Sequence, residues 1–137
     1  MESLNVTVTV TSTVTDEGTT VSHYDGLLRV EGGIARISYT EEEDGARTST
    51  LITLGAGEVT LVRRGAVTFN TVYRAGYTHR SLYSLGGLKF DAEVLTERLT
   101  LLPAALPAFD CTYTLTLGGE ARRFTLSLRL TERSGAL

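Results

Sequence analysis

Apolar and polar residues alternate along most of this 137-residue chain, and this alternation constrains the fold more than any other feature. In residues 4–11, leucine and valine alternate with asparagine and threonine, and residues 109–117 and 124–130 alternate in the same way. Successive side chains of a β-strand point to opposite faces, so a period of two gives each strand one apolar face. No apolar pattern of helical period persists for ten residues. We therefore predict an all-β chain with almost no helix.

Short turn signals separate the alternating segments at fairly regular intervals. Most contain glycine, as in Gly32-Gly33 and Gly118-Gly119, because hairpin turns need positive φ angles that glycine adopts at least cost. These intervals predict about eight to ten strands. The strands lie at 3–15, 19–30, 34–41, 47–54, 58–64, 67–74, 77–85, 87–96, 109–117 and 121–132, and a short further segment at 98–102 is left out of the count.

Connections of only a few residues force neighbouring strands to pair antiparallel, as a meander. A meander of this many strands exposes two edges unless it closes on itself, and closure removes both of them. We therefore predict one closed antiparallel meander β-barrel over residues 1–137, as a single domain. The irregular apolar segment 102–107 contains both prolines of the chain, which end strand pairing, and we interpret it as a corner rather than a lid.

Charge and residue content exclude several classes of function. The net charge of −3 and the pI near 5.4 argue against binding to nucleic acids or to anionic membranes. Cys111 is the only cysteine and there are two histidines, so we expect no disulfide, no metal and no cofactor. The first residues lack the pattern of a signal peptide, and no apolar run approaches the length of a membrane span, so we expect a cytoplasmic protein.

From about Leu27 onwards, the chain contains an ordered set of short motifs, namely Ile37-Ser38-Tyr39-Thr40-Glu41-Glu42, Glu58-Val59-Thr60-Leu61-Val62-Arg63-Arg64-Gly65, Phe69, Gly76, Tyr83, Gly87-Leu88, Thr96 and Cys111-Thr112-Tyr113. In order and spacing, this set resembles the bacterial DUF1934 or YwiB-like family of uncharacterised calycin-like barrels. The resemblance implies a lipocalin-like barrel and no particular activity. One departure is Leu85-Gly86-Gly87, where a more polar stretch is expected.

Side-chain parity places several polar residues on the inward faces of the predicted strands. Tyr39 and Glu41 share the face of Ile37, and Arg63 shares that of Leu61. Buried charges are costly unless they are paired, so we expect Glu41 and Arg63 to meet each other or a ligand. No catalytic residue is assigned. The predicted ligand-binding set is Tyr39, Glu41, Arg63, Phe69, His79, Tyr83, Thr96 and Tyr113.

Three functions remain open on this sequence. The first is a non-enzymatic module that holds a small amphipathic or anionic ligand in the barrel, where Arg63, Tyr83 and Tyr113 orient the polar end. The second is an interaction or regulatory protein with a packed barrel that acts through its outer surface or rim. The third and weakest is an enzyme that uses Glu41, Arg63 and a tyrosine. The sequence leaves open whether the protein forms a homodimer.

Overall fold

The computed structural model describes residues 2–133 and contains ten β-strands and no helix in that range. Each strand follows an alternating segment of the sequence. The strands are β1 (Glu2–Val14), β2 (Gly18–Glu31), β3 (Ile34–Glu43), β4 (Ala46–Gly55), β5 (Glu58–Gly65), β6 (Val67–Tyr73), β7 (Thr78–Leu85), β8 (Leu88–Leu102), β9 (Ala108–Leu117) and β10 (Glu120–Glu132).

The strands form a closed antiparallel barrel in which every strand pairs with its neighbours in the sequence. The first and last strands close it, because β1 pairs with β10 from Val6 opposite Glu132 to Val14 opposite Phe124. The predicted all-β meander barrel is therefore confirmed. We call the end that carries the β1–β2, β3–β4, β5–β6, β7–β8 and β9–β10 turns the upper end, and the other end the lower end.

Alternate side chains fill the barrel, and those between them face outward. Val6 and Val8 are fully buried, whereas Thr7 between them is only partly buried. The lone cysteine, Cys111, is buried in the core. The core consists of Val6, Val8, Leu28, Ala35, Ile37, Ile52, Leu54, Val59, Phe69, Tyr73, Ala92, Val94, Phe109, Cys111, Tyr113 and Leu128.

The predicted separation of segments 87–96 and 98–102 is wrong, because both belong to the single long strand β8. The pairing of β8 with β9 shifts by one residue between Thr96 and Arg98, which marks a β-bulge. The bulge interrupts the alternation of the sequence without ending the strand. The proline-containing segment 103–107 joins β8 to β9 at the lower end, and Leu106 packs against the core.

Two neighbouring strand pairs are joined along only part of their length. The strands β2 and β3 pair from Glu31 opposite Ile34 to Gly26 opposite Tyr39, and no further toward the upper end. The strands β6 and β7 share only two residue pairs, at their upper ends. A side chain at Gly26 would collide with Val8 and the carbonyl oxygen of Ser38. Glycine is therefore required where the β2–β3 ladder ends.

Gly65 supplies a test of the fold at the β5–β6 turn. Its φ of 139° is unfavourable for other residues, and an added Cβ would overlap the carbonyl oxygen of Arg47, which accepts a hydrogen bond from Ala66. We expect Gly65→Ala to lower the free energy of unfolding by about 2–4 kcal/mol, measured by urea titration. The control Gly45→Ala also has a positive φ but open space around its Cβ, so it should cost only about 1 kcal/mol. Equal losses in the two variants would contradict the steric explanation.

Candidate functional site

The barrel contains a cavity of about 290 Å³ in its upper half. Its walls come from β1 to β6 and from β9 and β10, while no residue of β7 or β8 lines it. Hydroxyl and charged groups lie toward the upper end, and aliphatic side chains and Phe109 form the lower part. The lining residues are Val10, Ser12, Thr20, Ser22, Tyr24, Tyr39, Glu41, Thr50, Ile52, Leu61, Arg63, Tyr73, Phe109, Tyr113, Leu126 and Leu128.

An ion pair between Glu41 and Arg63 forms the polar wall of this cavity. Arg63 donates from Nε to Oε2 of Glu41 and from Nη2 to Oε1, with both distances 3.2 Å. The hydroxyl of Thr50 donates to Oε2 at 2.6 Å, and that of Tyr24 lies 3.5 Å from Oε1. The four residues come from four consecutive strands, β2 to β5. Both carboxylate oxygens of Glu41 therefore already accept hydrogen bonds.

The ion pair is reached by solvent and leaves hydrogen-bonding capacity on Arg63. Each of the two side chains keeps 24% of its surface exposed. A guanidinium group has five N–H donors, and Nη1 of Arg63 has no hydrogen-bond partner within residues 2–133. Since the two charges cancel, the polar wall is neutral overall. It offers a donor from Arg63 and no free carboxylate oxygen.

Tyrosines surround the ion pair and remain neutral at ordinary pH. Tyr39 stacks on Tyr24, with ring centroids 4.7 Å apart, and burial together with the nearby Glu41 raises its pKa well above the usual value. Burial likewise raises the pKa of Tyr73, and that of Tyr113 to about 12. The centroids of the Tyr73 and Tyr113 rings lie 4.8 Å apart. The cavity therefore presents phenol groups rather than phenolates.

Four of the eight predicted site residues line the cavity, namely Tyr39, Glu41, Arg63 and Tyr113. The expectation that Glu41 and Arg63 meet each other is confirmed by their hydrogen bonds. Period-two parity was sufficient to place these side chains inside, because each lies two or four residues from a core or cavity-lining residue on its own strand.

The other four predicted residues do not line the cavity. Phe69 is buried against Tyr83, with ring centroids 5.3 Å apart, and this pair fills the barrel beside β6 and β7. His79 lies on β7 near the ring of Tyr77, at 6.1 Å between centroids. Thr96 is fully buried. The cavity is displaced from these residues because aromatic packing occupies their part of the interior.

Thr96 instead anchors the connection between β6 and β7. Its hydroxyl accepts the backbone N–H of Arg74 at 3.3 Å, and its carbonyl oxygen accepts that of Gly76 at 2.8 Å. Its own N–H donates to the carbonyl oxygen of Tyr77 at 3.1 Å. These three bonds hold the 74–77 connection against β8. The geometry gives Thr96 a structural role.

Sequence reasoning missed several residues of the polar wall, and the same parity rule contains the signal for them. Thr50 lies two residues before the buried Ile52, and Tyr24 lies four residues before the buried Leu28. Threonine and tyrosine are common on either face of a strand, so neither residue stood out as charged groups do. Only the register between β3 and β4 brings Thr50 beside Glu41.

Salt bridges use most of the arginines that the outer surface offers. Arg74 pairs with Glu58 and Arg80 with Glu93, at 3.3 and 2.8 Å. Arg122 pairs with both Glu17 and Glu120, at 3.5 Å each. Carboxylates on the outer surface therefore balance the positive charge of these three arginines. Within residues 2–133, no group of three or more His, Cys, Asp and Glu side chains converges in the manner of a metal site. Nor does this range contain a helix of the length and hydropathy that crossing a membrane requires.

Comparison with known proteins identifies the family. The model of the family described as "Domain of unknown function (DUF1934)" matches residues 5–128. The chain belongs to the DUF1934 family. A solved relative in fold is the ywiB protein from Bacillus subtilis, with a TM-score of 0.78 and 21% sequence identity over 93% of this chain and 92% of that one. No curated protein matches the sequence.

Membership in the DUF1934 family supports the barrel and leaves its function open. The matched region contains all four predicted residues that line the cavity, from Tyr39 to Tyr113. At 21% identity, the likeness to the ywiB protein establishes a shared fold. The argument for function therefore depends on the residues of the cavity themselves.

The buried tyrosines predict a fall in stability at alkaline pH. Burial raises the pKa of Tyr39, Tyr73 and Tyr113, and raises that of the Cys111 thiol to about 12. A group whose pKa is higher in the folded state stabilises the fold below its unfolded pKa and ceases to do so as the pH rises through the folded one. The free energy of unfolding should therefore be constant to about pH 9 and then fall by about 1.4 kcal/mol per pH unit for each titrating group.

Urea titrations between pH 8 and 12 measure this loss. In Tyr113→Phe, one titrating group is removed, so the decline should be less steep than in the wild type. A free energy of unfolding that stays constant to pH 12 would contradict the assignment of neutral, buried phenols.

Proposed function

We propose that this barrel binds a small amphipathic molecule, with its polar end at Arg63 and its apolar part in the lower half of the cavity. The observation that carries the proposal is that one cavity, which solvent can enter, has a polar wall at its upper end and an apolar wall below. Its upper wall contains the Glu41–Arg63 pair and several hydroxyls, whereas Ile52, Leu61 and Leu128 lie below. Ligand pockets combine an apolar lining with a few convergent polar groups in this way.

The size of the cavity limits the ligand. About 290 Å³ lies just below the range of roughly 300–1,000 Å³ that is usual for ligand pockets. The apolar part therefore accommodates a short alkyl chain or a single ring rather than a long acyl chain. This supports a compact ligand with one polar group.

The polar wall selects for a hydrogen-bond acceptor. Both oxygens of Glu41 are occupied by Thr50 and Arg63, while Arg63 retains Nη1 as a donor. A carboxylate, carbonyl or hydroxyl group complements this donor, whereas an ammonium group would meet a guanidinium charge and no free acceptor on Glu41. The same hydrogen bonds argue against catalysis, because Glu41 has no free oxygen with which to abstract a proton.

Three probes with the same six-carbon tail test the proposal: hexanoate, 1-hexanol and hexylamine. We expect hexanoate and hexanol to bind and to raise the Tm, and hexylamine to have no effect, measured by calorimetry and thermal unfolding. Native mass spectrometry of freshly purified protein should also detect a bound small molecule. Failure of all three probes to bind would overturn the proposal.

A cavity-filling substitution tests where the probes bind. Leu61 lines the cavity on β5, so Leu61→Phe adds volume inside and should abolish hexanol binding. The matched control is Leu51→Phe, because Leu51 is 37% exposed and faces outward on β4. The control should bind hexanol as the wild type does. Equal hexanol affinity in both variants would place binding outside the barrel.

A charge substitution tests the role of Arg63. Glu41→Gln retains an acceptor for Thr50 and Arg63 but removes the negative charge, so the polar wall becomes positive. Hexanoate should then bind about tenfold more tightly, while the affinity for hexanol should change little. This difference between two probes with one tail separates an electrostatic effect from a change in cavity shape. Unchanged hexanoate affinity would place its carboxylate away from Arg63.

A further inference from the structure

The barrel wall has a gap between β2 and β3 at the upper end. The ladder between these strands stops at Gly26 opposite Tyr39, although β2 begins eight residues earlier at Gly18 and β3 continues to Glu43. Over this length β2 pairs only with β1, and β3 pairs only with β4. Within residues 2–133, no strand pairs with the side of β2 that faces away from β1 over residues 18–25, and we call this side the free edge of β2.

The direction of the backbone groups on this edge follows from the neighbouring ladder. The carbonyl oxygen of Asn5 accepts a hydrogen bond from Arg133, beside β10, so the backbone groups of Asn5 face β10. The side to which the backbone N–H and C=O groups point alternates from residue to residue along a strand, so the even-numbered residues of β1 face β2. They form hydrogen bonds with the even-numbered residues of β2 that lie opposite them. The odd-numbered residues of the free edge therefore aim their N–H and C=O groups into the gap. They are Thr19, Val21, His23 and Asp25.

The free edge lacks the features by which proteins usually protect an exposed strand. Residues 18–25 contain no lysine, no proline and no bulge in the pairing with β1. Their one charged residue is Asp25, which pairs with Arg133 at 3.0 Å. Val21 is 55% exposed. The edge is therefore open to pairing with another extended chain.

A large groove on the outside of the barrel reaches the lower part of the gap, where His23, Tyr24 and Asp25 line it. Its volume is about 1,190 Å³, and segments of β2, β3, β4 and β5 line it. Tyr24, Tyr39 and Thr50 border both this groove and the interior cavity. The stacked rings of Tyr24 and Tyr39 thus separate the two spaces at the lower limit of the gap. The groove therefore covers the lower part of the free edge and extends from there across β3, β4 and β5.

We propose that an extended segment of a partner polypeptide adds as a strand to the free edge of β2. Four N–H and four C=O groups, repeating at every second residue, match the backbone of an extended chain. On the far side of the gap, the odd-numbered residues of β3 direct their backbone groups toward β4, as Glu43 does opposite Ala46. The even-numbered residues Thr40 and Glu42 therefore direct their N–H and C=O groups into the gap. The partner strand is therefore bordered by hydrogen-bonding groups on both sides.

A single strand fits this site better than a second copy of the barrel. The free edge is recessed in the wall, with β3 and the β3–β4 hairpin on its other side. In a second copy of the barrel, β3 would flank the free edge of β2 in the same way. The β3 strands of the two copies would therefore prevent the two free edges from pairing with each other. The site uses backbone groups and the outer groove, so this inference does not rest on the proposed small-molecule ligand.

The test selects a displayed library of random 12-residue peptides on the wild-type barrel and measures the affinity of the synthetic winners by calorimetry. The variant Val21→Pro removes one gap-facing N–H and leaves every β1-facing N–H in place, so it should fold and weaken peptide binding at least tenfold. The matched control Val21→Thr keeps the N–H and should bind as the wild type does. Circular dichroism and thermal unfolding verify that both variants fold.

Hydrogen exchange provides the second measurement. In the free protein the amides of Val21 and His23 should exchange rapidly, while those of Ser22 and Tyr24, which face β1, should be protected. A bound peptide should slow exchange at Val21 and His23. The Leu61→Phe variant should still bind the peptide, which separates this site from the interior cavity. Protected Val21 and His23 amides in the free protein, an absence of enriched peptides, or equal binding to Val21→Pro would each overturn the proposal.

Discussion

Pairing between the first and last strands is the constraint on which the rest of the barrel depends. The nine residue pairs between β1 and β10 join the two ends of the meander and satisfy the backbone groups of both outer strands. Without them, Thr-rich β1 and Leu-rich β10 would each present a long unpaired edge to solvent. Closure also fixes which residues face inward, since Val6 and Val8 are buried only if the sheet curves around them. Every interior feature, including the ion pair, follows from that curvature.

The interior is unevenly filled, and this unevenness creates the candidate site. Beside β6 and β7, Phe69 and Tyr83 pack ring against ring, with centroids 5.3 Å apart, and neither residue lines the cavity. Farther along the sheet, β2 to β5 contribute the Glu41–Arg63 pair with its hydroxyl partners, and these residues line the cavity. Charged groups need hydrogen bonds and residual hydration, so they resist dense packing. The cavity lies beside this charged pair.

The sequence predicted the fold well because alternation is a local property. About eight to ten strands, their order and their closure were predicted from period two and short turns, and the structure contains ten strands within residues 2–133. The error at residues 98–102 came from a bulge that breaks the period without ending β8. The site was predicted in part. Parity identified Glu41 and Arg63 as inward-facing, but parity does not tell which inward residues lie beside one another. That depends on register across strands, which placed Thr50 next to Glu41 and kept His79 and Thr96 away from the cavity.

The two incomplete ladders of the barrel differ in what covers them. Between β6 and β7, continuing the register from Thr68 opposite Ser84 places Thr71 opposite Ser81, and the hydroxyls of both are buried without a partner within residues 2–133. The Phe69–Tyr83 contact and the bonds of Thr96 hold that seam together, so its unpaired groups are enclosed.

Between β2 and β3 the opposite holds, because Gly26 ends the ladder with no side chain to cover the gap and the groove outside remains open. Buried polar groups without partners cost stability wherever they occur, whereas groups at an open edge are solvated until another chain replaces the water. The enclosed polar groups between β6 and β7 therefore lower the stability of the fold and are not accessible to another chain. The β2 edge retains its hydrogen-bonding capacity for a partner.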